Sequence, residues 1–536
     1  MRYFCTKSDS SCSSRGLSRR NALSLAGATA AMLGFPYVIS RESRAEPAWV
    51  DGNPFSLGVA AGDTSPDGFV LWTRLAPNPL SQDPNAPGGL TSGDLLIDFE
   101  IATDSSLRNL VRRGQASVHV EIKGLQPGRP YWYRFLLGGA SSRIGRATTA
   151  PSPGTALDQF SVGFASCSNY EHGYFSAYRH LADENPDLVL FLGDYIYEGI
   201  DHSPSNVRKH SDDVEASTLS TYRNRYAQYR LDPDLQRLHA EVPVLITWDD
   251  HEVQNDYANQ WSQTFDDPKA FLKRRAAAYQ AFYEHMPLRP SLSRPDGANM
   301  RIYDRFTFGT LAQISMIDGR QYRSREACYG PPNRGGGHLV TDAGCRERLE
   351  ENRSMIGAAQ EQWLYRGLAT SKTRWNIIAQ DVLMAQLRQE AADHTAWYWT
   401  DNWNGYPANR KRLMQHIKDS GVSNPIVLSG DIHSFWANDL KIDFDDQRSP
   451  AVATELVGTS ISSRGVPYET FAKFLPYNPH VHFFESRVRG YVTIELGRRR
   501  ATSRFRAIAD VRDPNSSVST LRTFVIEDGV PGPQSH

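Results

Sequence analysis

The chain has little cysteine, almost no net charge and, past its first fifty residues, no long apolar run. Five cysteines among 536 residues cannot form a dense disulfide framework, so a large hydrophobic core has to carry the fold. A formal net charge of −1 excludes broad electrostatic attraction to nucleic acid or to a membrane surface. Any anion must be drawn by local charge or by bound cations. Beyond the N-terminal segment no stretch is long enough to cross a bilayer. Also missing are a Gly-x-Ser-x-Gly elbow, a phosphate-cradling Gly-rich loop with its lysine, and a dinucleotide fingerprint. Internal repeats and low-complexity segments are absent as well.

What is present begins with "GLSRRNALSLAGATAAMLGFPYVIS", in which Arg19 and Arg20 precede a short, mildly apolar run rich in Ala, Gly, Ser and Thr. This predicts a twin-arginine export signal over residues 1–45, cleaved near Ala45, and a periplasmic or secreted product with no integral membrane span. Cys5 and Cys12 leave with the signal. Cys328 and Cys345 flank a Gly/Pro-rich loop and are expected to pair in an oxidising compartment. Cys167 is then left over and needs another role.

Residues 50–150 read as all-β, with alternation such as Val118, Val120, Ile122 and Tyr131, Tyr133, Phe135 around a Gly/Pro turn. An N-terminal immunoglobulin-like β-sandwich is predicted there. "TTAPSPGTALDQ" is a linker. From 158 to 530 strands alternate with helices, which predicts an α/β layered core with at least five strands, returning to β near the end.

Several of these strands end alike: an apolar run, then small residues, then a metal-capable side chain. "VGFASC" ends at Cys167, and "VLFLGD" at Asp194 with Tyr197 behind it. "VLITWDDHE" ends at Asp249, Asp250 and His251 with Asn255 following, and "IVLSGDIH" at Asp431 and His433. Singly, Asp194 serves equally as a helix cap, Tyr197 as packing, His251 as a hydrogen-bonded core histidine and Cys167 as a small buried apolar residue. Together they converge, because strand ends in open α/β sheets form the ligand crevice. Buried carboxylates repel unless a cation joins them. Asp and Asn oxygens suit hard ions, whereas Asp, phenolate, His and thiolate together suit a stronger Lewis acid such as ferric iron. Ions of this kind facing a crevice serve phosphate-ester hydrolysis by activating a hydroxide, with His251 as proton donor to the leaving oxygen.

The stretches "GFASCSNYEHGYFSAYRHLADENPDLVLFLGDYIYEG", "TWDDHEVQNDY", "DGRQYRS", "NWNGYPANRKRL" and "SGDIHSFW" resemble the alkaline phosphatase D (PhoD-like) family over nearly the whole mature chain. The resemblance implies a calcineurin-like metallophosphoesterase with a four-layer α/β/β/α core, hydrolysing phosphate mono- and diesters with Fe(3+) and Ca(2+). It implies Cys167, Asp194, Tyr197 and His433 around iron, Asp194 bridging to calcium, and Asp250, Asn255 and Asp431 as calcium ligands. Two positions depart from the pattern: Asn404 stands where an aspartate is expected, and Asp256 where a second asparagine is expected. Arg320 is a candidate phosphate contact, as is Arg323, with surface salt bridges the alternative for both. The partners implied are a phosphate-ester substrate and the twin-arginine export machinery, with no dedicated nucleic-acid binding. The rival readings are a non-catalytic calcium-binding cell-surface protein and a redox iron enzyme.

Overall fold

Three runs set the architecture: Leu188–Leu192 (LVLFL), Val244–Thr247 (VLIT) and Pro425–Ser429 (PIVLS) are buried along their whole length. Strands without polar alternation need apolar cover on both faces. The computed structural model supplies it. It describes residues 52–81, 83–90, 95–116, 118–331, 335–390 and 393–535; the export signal, with Arg19, Arg20, Cys5, Cys12 and Ala45, lies outside the described residues.

A ten-stranded sheet carries Gln159–Ala165, Leu188–Leu192 and Val244–Thr247 side by side and parallel at its centre. A seven-stranded sheet carries Ala312–Met316, Trp375–Ala379, Pro425–Ser429 and Ala451–Val457 in parallel. The two sheets pack face to face, with Phe164, Leu190 and Leu245 of one against Ile314, Ile377 and Leu428 of the other. The period of two decides which side chain goes where: Leu188, Leu190 and Leu192 enter this inter-sheet core, while Val189 and Phe191 face helices.

Helices Ser176–Asp183, Leu219–Arg230, Pro233–Glu241 and Pro268–His285 cover the outer face of the larger sheet. Ala358–Thr370 and Pro407–Ser420 cover the smaller one. The result is helix, sheet, sheet, helix. Two helices start on an Asp-Pro pair, Asp232 and Asp267 each accepting two backbone N–H groups; proline at the first helical position costs no hydrogen bond.

The N-terminal strands form a second sandwich, but not a detached one. Ile97–Ala102, Leu110–Ala116, Pro130–Leu137, Ala140–Ser141 and Gly145–Thr148 make a five-stranded sheet. It packs on Val59–Ser65, Gly68–Thr73 and His119–Ile122 through Phe69, Leu71, Phe99, Ile101, Tyr133 and Phe135. Those latter three strands belong to the ten-stranded sheet, joined to it by parallel pairing of Gly62 with Val244. The ladder therefore runs through the boundary that the linker at 151–158 indicates. The Trp72 indole N–H donates to the Glu284 carbonyl at 2.9 Å, Arg74 pairs with Glu284 at 2.6 Å, and Arg289 pairs with Glu121 at 2.7 Å. The described residues form a single unit. No helix among the described residues is long and apolar enough to cross a membrane.

Candidate metal centre

Parallel strands deliver their C-terminal ends to one edge. The chain leaves them there through strained corners: Cys167, Asp194, Asp431 and His433 all have positive φ, 58°, 52°, 64° and 52°. Non-glycine residues adopt this region at a cost of about 1–3 kcal/mol each, and persist there only when their surroundings hold them. Here the holding groups are visible. The Cys167 N–H donates to the Gly193 carbonyl at 3.2 Å, and the Ser168 N–H to the Asp194 carbonyl at 3.0 Å. The buried Glu252 carboxylate accepts the N–H groups of Asp194 (3.2 Å), Tyr195 (2.6 Å) and Asp249 (2.9 Å). Gly430 marks the point where the two sheets meet: a Cβ there would lie 2.4 Å from Ser166 Oγ.

Among the described residues three sets of ligand-type atoms result, within each of which all lie within 4.8 Å of one another: Cys167, Asp194 and His433; Asp194, Asp250 and His251; and Asp250, Asp256 and Asp401. The sets share members, so Asp194 and Asp250 link them in a row. Tyr197 joins the first: its hydroxyl lies 2.9 Å from Asp194 Oδ2 and 3.0 Å from His433 Nε2. Asp431 is half-buried at the same strand end. Burial and the carboxylates of Asp401 and Asp250 push its carboxyl well above the usual range. Asn255 is placed by its backbone N–H, which donates to Glu198 Oε1 at 2.7 Å.

These residues fit metal ions. Asp194 is 1 % exposed, and its Oδ1 has no protein partner. Burial and the carboxylates of Asp250, Glu252 and Asp431 push Asp194 well up against the pull of His251. Burial and Asp194 push up both the Cys167 thiol and the Tyr197 phenol. Such a set is costly with its charges unbalanced, and a cation reverses every one of these shifts. His433 is also prepared. Its Nδ1 sits 2.8 Å from the Arg464 carbonyl, which only accepts, so Nδ1 carries the proton and Nε2 keeps its lone pair for the cluster. Burial and the Arg489 cation hold this imidazole down to about 3.

The remaining predicted residues sit around this row. His251 Nδ1 is 2.6 Å from Glu198 Oε2, and its ring lies 4.1 Å from that of Tyr197. Burial opposes its protonation, yet Glu198, Asp250 and Asp194 hold it well above the usual histidine value. Arg320 is fully buried. Its guanidinium is taken by Asp249 and, bidentately, by Asp401 at 2.7 and 2.8 Å. Arg323 also pairs with Asp401, at 2.8 Å. Both arginines thus face protein carboxylates. Cys328 and Cys345 form a disulfide with Cα atoms 6.0 Å apart.

Asp401 and Asp256 join the row although neither follows an apolar strand. Asn404 lies off it: its Oδ1 accepts from Arg410 (3.1 Å) and from the Leu387 N–H (3.3 Å). Glu198 and Glu252 were also missed, although both stand inside motifs quoted from the sequence; the fold brings Glu198 to the His251 ring and the Asn255 N–H, and Glu252 to the N–H groups of Asp194 and Tyr195.

Comparison with known proteins agrees with this geometry. Residues 160–505 match the family profile "PhoD-like phosphatase" and residues 41–151 match "PhoD-like phosphatase, N-terminal domain". Alkaline phosphatase D of Bacillus subtilis (strain 168) is 42% identical over 492 residues, covering 88% of this chain and 81% of that protein. A solved structure described as PhoD superposes with a TM-score of 0.84 at 41% identity, covering 91% of this chain and 93% of the other. The chain belongs to the PhoD-like phosphatase family.

Proposed function

We propose that the chain is an exported, metal-dependent alkaline phosphatase that hydrolyses phosphate mono- and diesters. The observation that carries this is the convergence of a thiol, a carboxylate, a phenol and an imidazole on one point, with a row of aspartates continuing from it. We assign Cys167, Asp194, Tyr197 and His433 to Fe(3+), and Asp194, Asp250, Asn255 and Asp431 to Ca(2+), with Asp256 and Asp401 beside them. Bound there, the ions supply Lewis acidity toward the phosphoryl oxygens and lower the pKa of water.

The chain's own groups do the rest. Glu198 accepts the Nδ1 proton of His251 and so turns Nε2 toward the leaving-group oxygen, to which it gives a proton. Arg320, fully buried and with each of its three guanidinium nitrogens engaged by Asp249 or Asp401, acts as a positioning residue that fixes the aspartate row rather than as a phosphate contact. Glu252 holds two strand ends in register.

A calcineurin-like kinship fits the helix, sheet, sheet, helix order. Residues 50–150, as an immunoglobulin-like sandwich, would brace the catalytic part, residues 158–530. Export through the twin-arginine route into the periplasm or medium fits the N-terminal sequence and the disulfide.

Chelation of the purified protein should abolish hydrolysis of both p-nitrophenyl phosphate and bis-p-nitrophenyl phosphate, and re-addition of iron and calcium should restore it. Turnover persisting in demonstrably metal-free protein would sink the proposal. A calcium-only binding protein is the rival, and it would be colourless, whereas tyrosinate bound to ferric iron absorbs in the visible.

A further inference from the structure

The hydrogen bonds around the Tyr197 oxygen can be counted completely among the described residues. Three atoms lie within reach: Asp194 Oδ2 at 2.9 Å, His433 Nε2 at 3.0 Å and Ser463 Oγ at 2.7 Å. The first two accept, because Asp194 is a carboxylate and His433 carries its proton on Nδ1. A neutral phenol can satisfy one of them. A phenolate has no proton to give, and both of those neighbours then become its fellow ligands. Ser463 is left as the donor.

Ser463 is built for that task. It is fully buried. Its Oγ accepts the Asn169 N–H at 3.2 Å, which leaves the hydroxyl one hydrogen and two candidate acceptors, Tyr197 Oη and the Cys167 carbonyl at 2.8 Å. That carbonyl already receives the backbone N–H groups of Ser462 and Ser463, at 3.4 and 3.3 Å. It can release the hydroxyl proton without being stranded. The Ser463 backbone is itself pinned: its carbonyl accepts from Ser460 Oγ and from Arg489 Nη1 at 2.7 Å. Arg489 is buried behind Cys167 and Tyr197 and held by the Ser486 carbonyl.

We propose that Ser463 is a positioning residue that donates a hydrogen bond to the Tyr197 phenolate in the ferric protein. That bond stabilises the buried phenolate charge, which supports the hold on the metal, and lowers the donor level of the oxygen, which sets the energy of the tyrosinate-to-iron charge-transfer band. The inference rests on the assignment of Cys167, Asp194, Tyr197 and His433 to iron made above.

The test uses the full mature chain loaded with iron, as wild type, Ser463→Ala and Ser463→Thr. In Ser463→Ala the visible band should move to longer wavelength and iron affinity should fall about 10- to 100-fold, the range for lost outer-shell partners. Ser463→Thr should restore both. An unmoved band in iron-replete Ser463→Ala overturns the proposal. A wild-type protein that binds iron yet stays colourless overturns the iron assignment instead, so the two failures are distinct. Should Ser463→Ala not fold, resonance Raman of the wild type decides. The tyrosinate C–O stretch must shift between H2O and D2O if the bond exists, and an isotope-insensitive stretch rejects it.

Discussion

At the scale of single residues, the second carboxylate shell separates chemistry from support. His251 is the only predicted proton donor in the site, and Glu198 is its partner at 2.6 Å. Replacing His251 by Ala should lower kcat by about 10²–10⁴-fold, the usual contribution of a positioned general acid. Glu198→Gln should lower kcat less and leave KM nearly unchanged, because the substitution loosens the imidazole without touching substrate. Steady-state kinetics on a monoester separate the two. Far from the site, His480 is 4 % exposed, and burial holds it neutral down to about 4 while its Nε2 faces the Gln386 carbonyl at 2.7 Å. An unfolded histidine takes its proton near 6.5. Between those values the unfolded chain binds more protons, so stability falls as pH drops from about 6.5 toward 4. The loss amounts to on the order of 3 kcal/mol for this group. His480→Gln should flatten that part of a denaturant-midpoint profile, and an unchanged slope would refute the assignment. The sequence exposed Asp194, Asp250 and His251 because each ends an apolar run. It showed Asp256 only as a departure from a motif and hid Asp401, whose place depends on a distant loop folding back over the strand ends.

At the scale of elements, the long buried strands were readable because continuous apolar runs have few other uses. The short ones, such as Leu339–Val340 and Gln389–Glu390, carry no pattern of their own and exist through their neighbours. Two connections can be tested. Where the sheets meet at Gly430, a methyl group would collide with Ser166 Oγ at 2.4 Å. Gly430→Ala should therefore destabilise by about 1–3 kcal/mol, as overpacking does, with a fall in melting temperature and weaker metal retention. The disulfide closes a loop with a sequence separation of 17. Replacing Cys328 and Cys345 together by Ser should cost about 3 kcal/mol on the chain-entropy account. Guanidinium unfolding of the oxidised protein and the double variant gives that difference directly.

At the scale of the whole molecule, the feature least visible in the sequence is the join between Gly62 and Val244. The two residues lie far apart in the chain, and no local pattern announces their pairing. A Pro/Ser-rich linker at 151–158 reads as a place to cut. The continuous ladder says otherwise. A chain starting at residue 158 would leave Val244–Thr247 as an open edge beside the loop 249–255, and would remove Arg74 and Trp72 from Glu284, leaving its carboxylate to Arg223 and Gln280. Such a fragment should aggregate or lose metal, whereas the full chain stays monodisperse; a soluble, metal-loaded fragment in sedimentation experiments would show that the join is dispensable.

The left-handed corners at Cys167, Asp194, Asp431 and His433 bear on which guests the cage admits. Walls braced by Glu252 and by the main chain before any guest arrives cannot mould themselves around it. Selection should then fall to ionic radius and hardness, with a poorly matched cation turned away instead of accommodated, which competition between cations of different radius for the purified protein would measure.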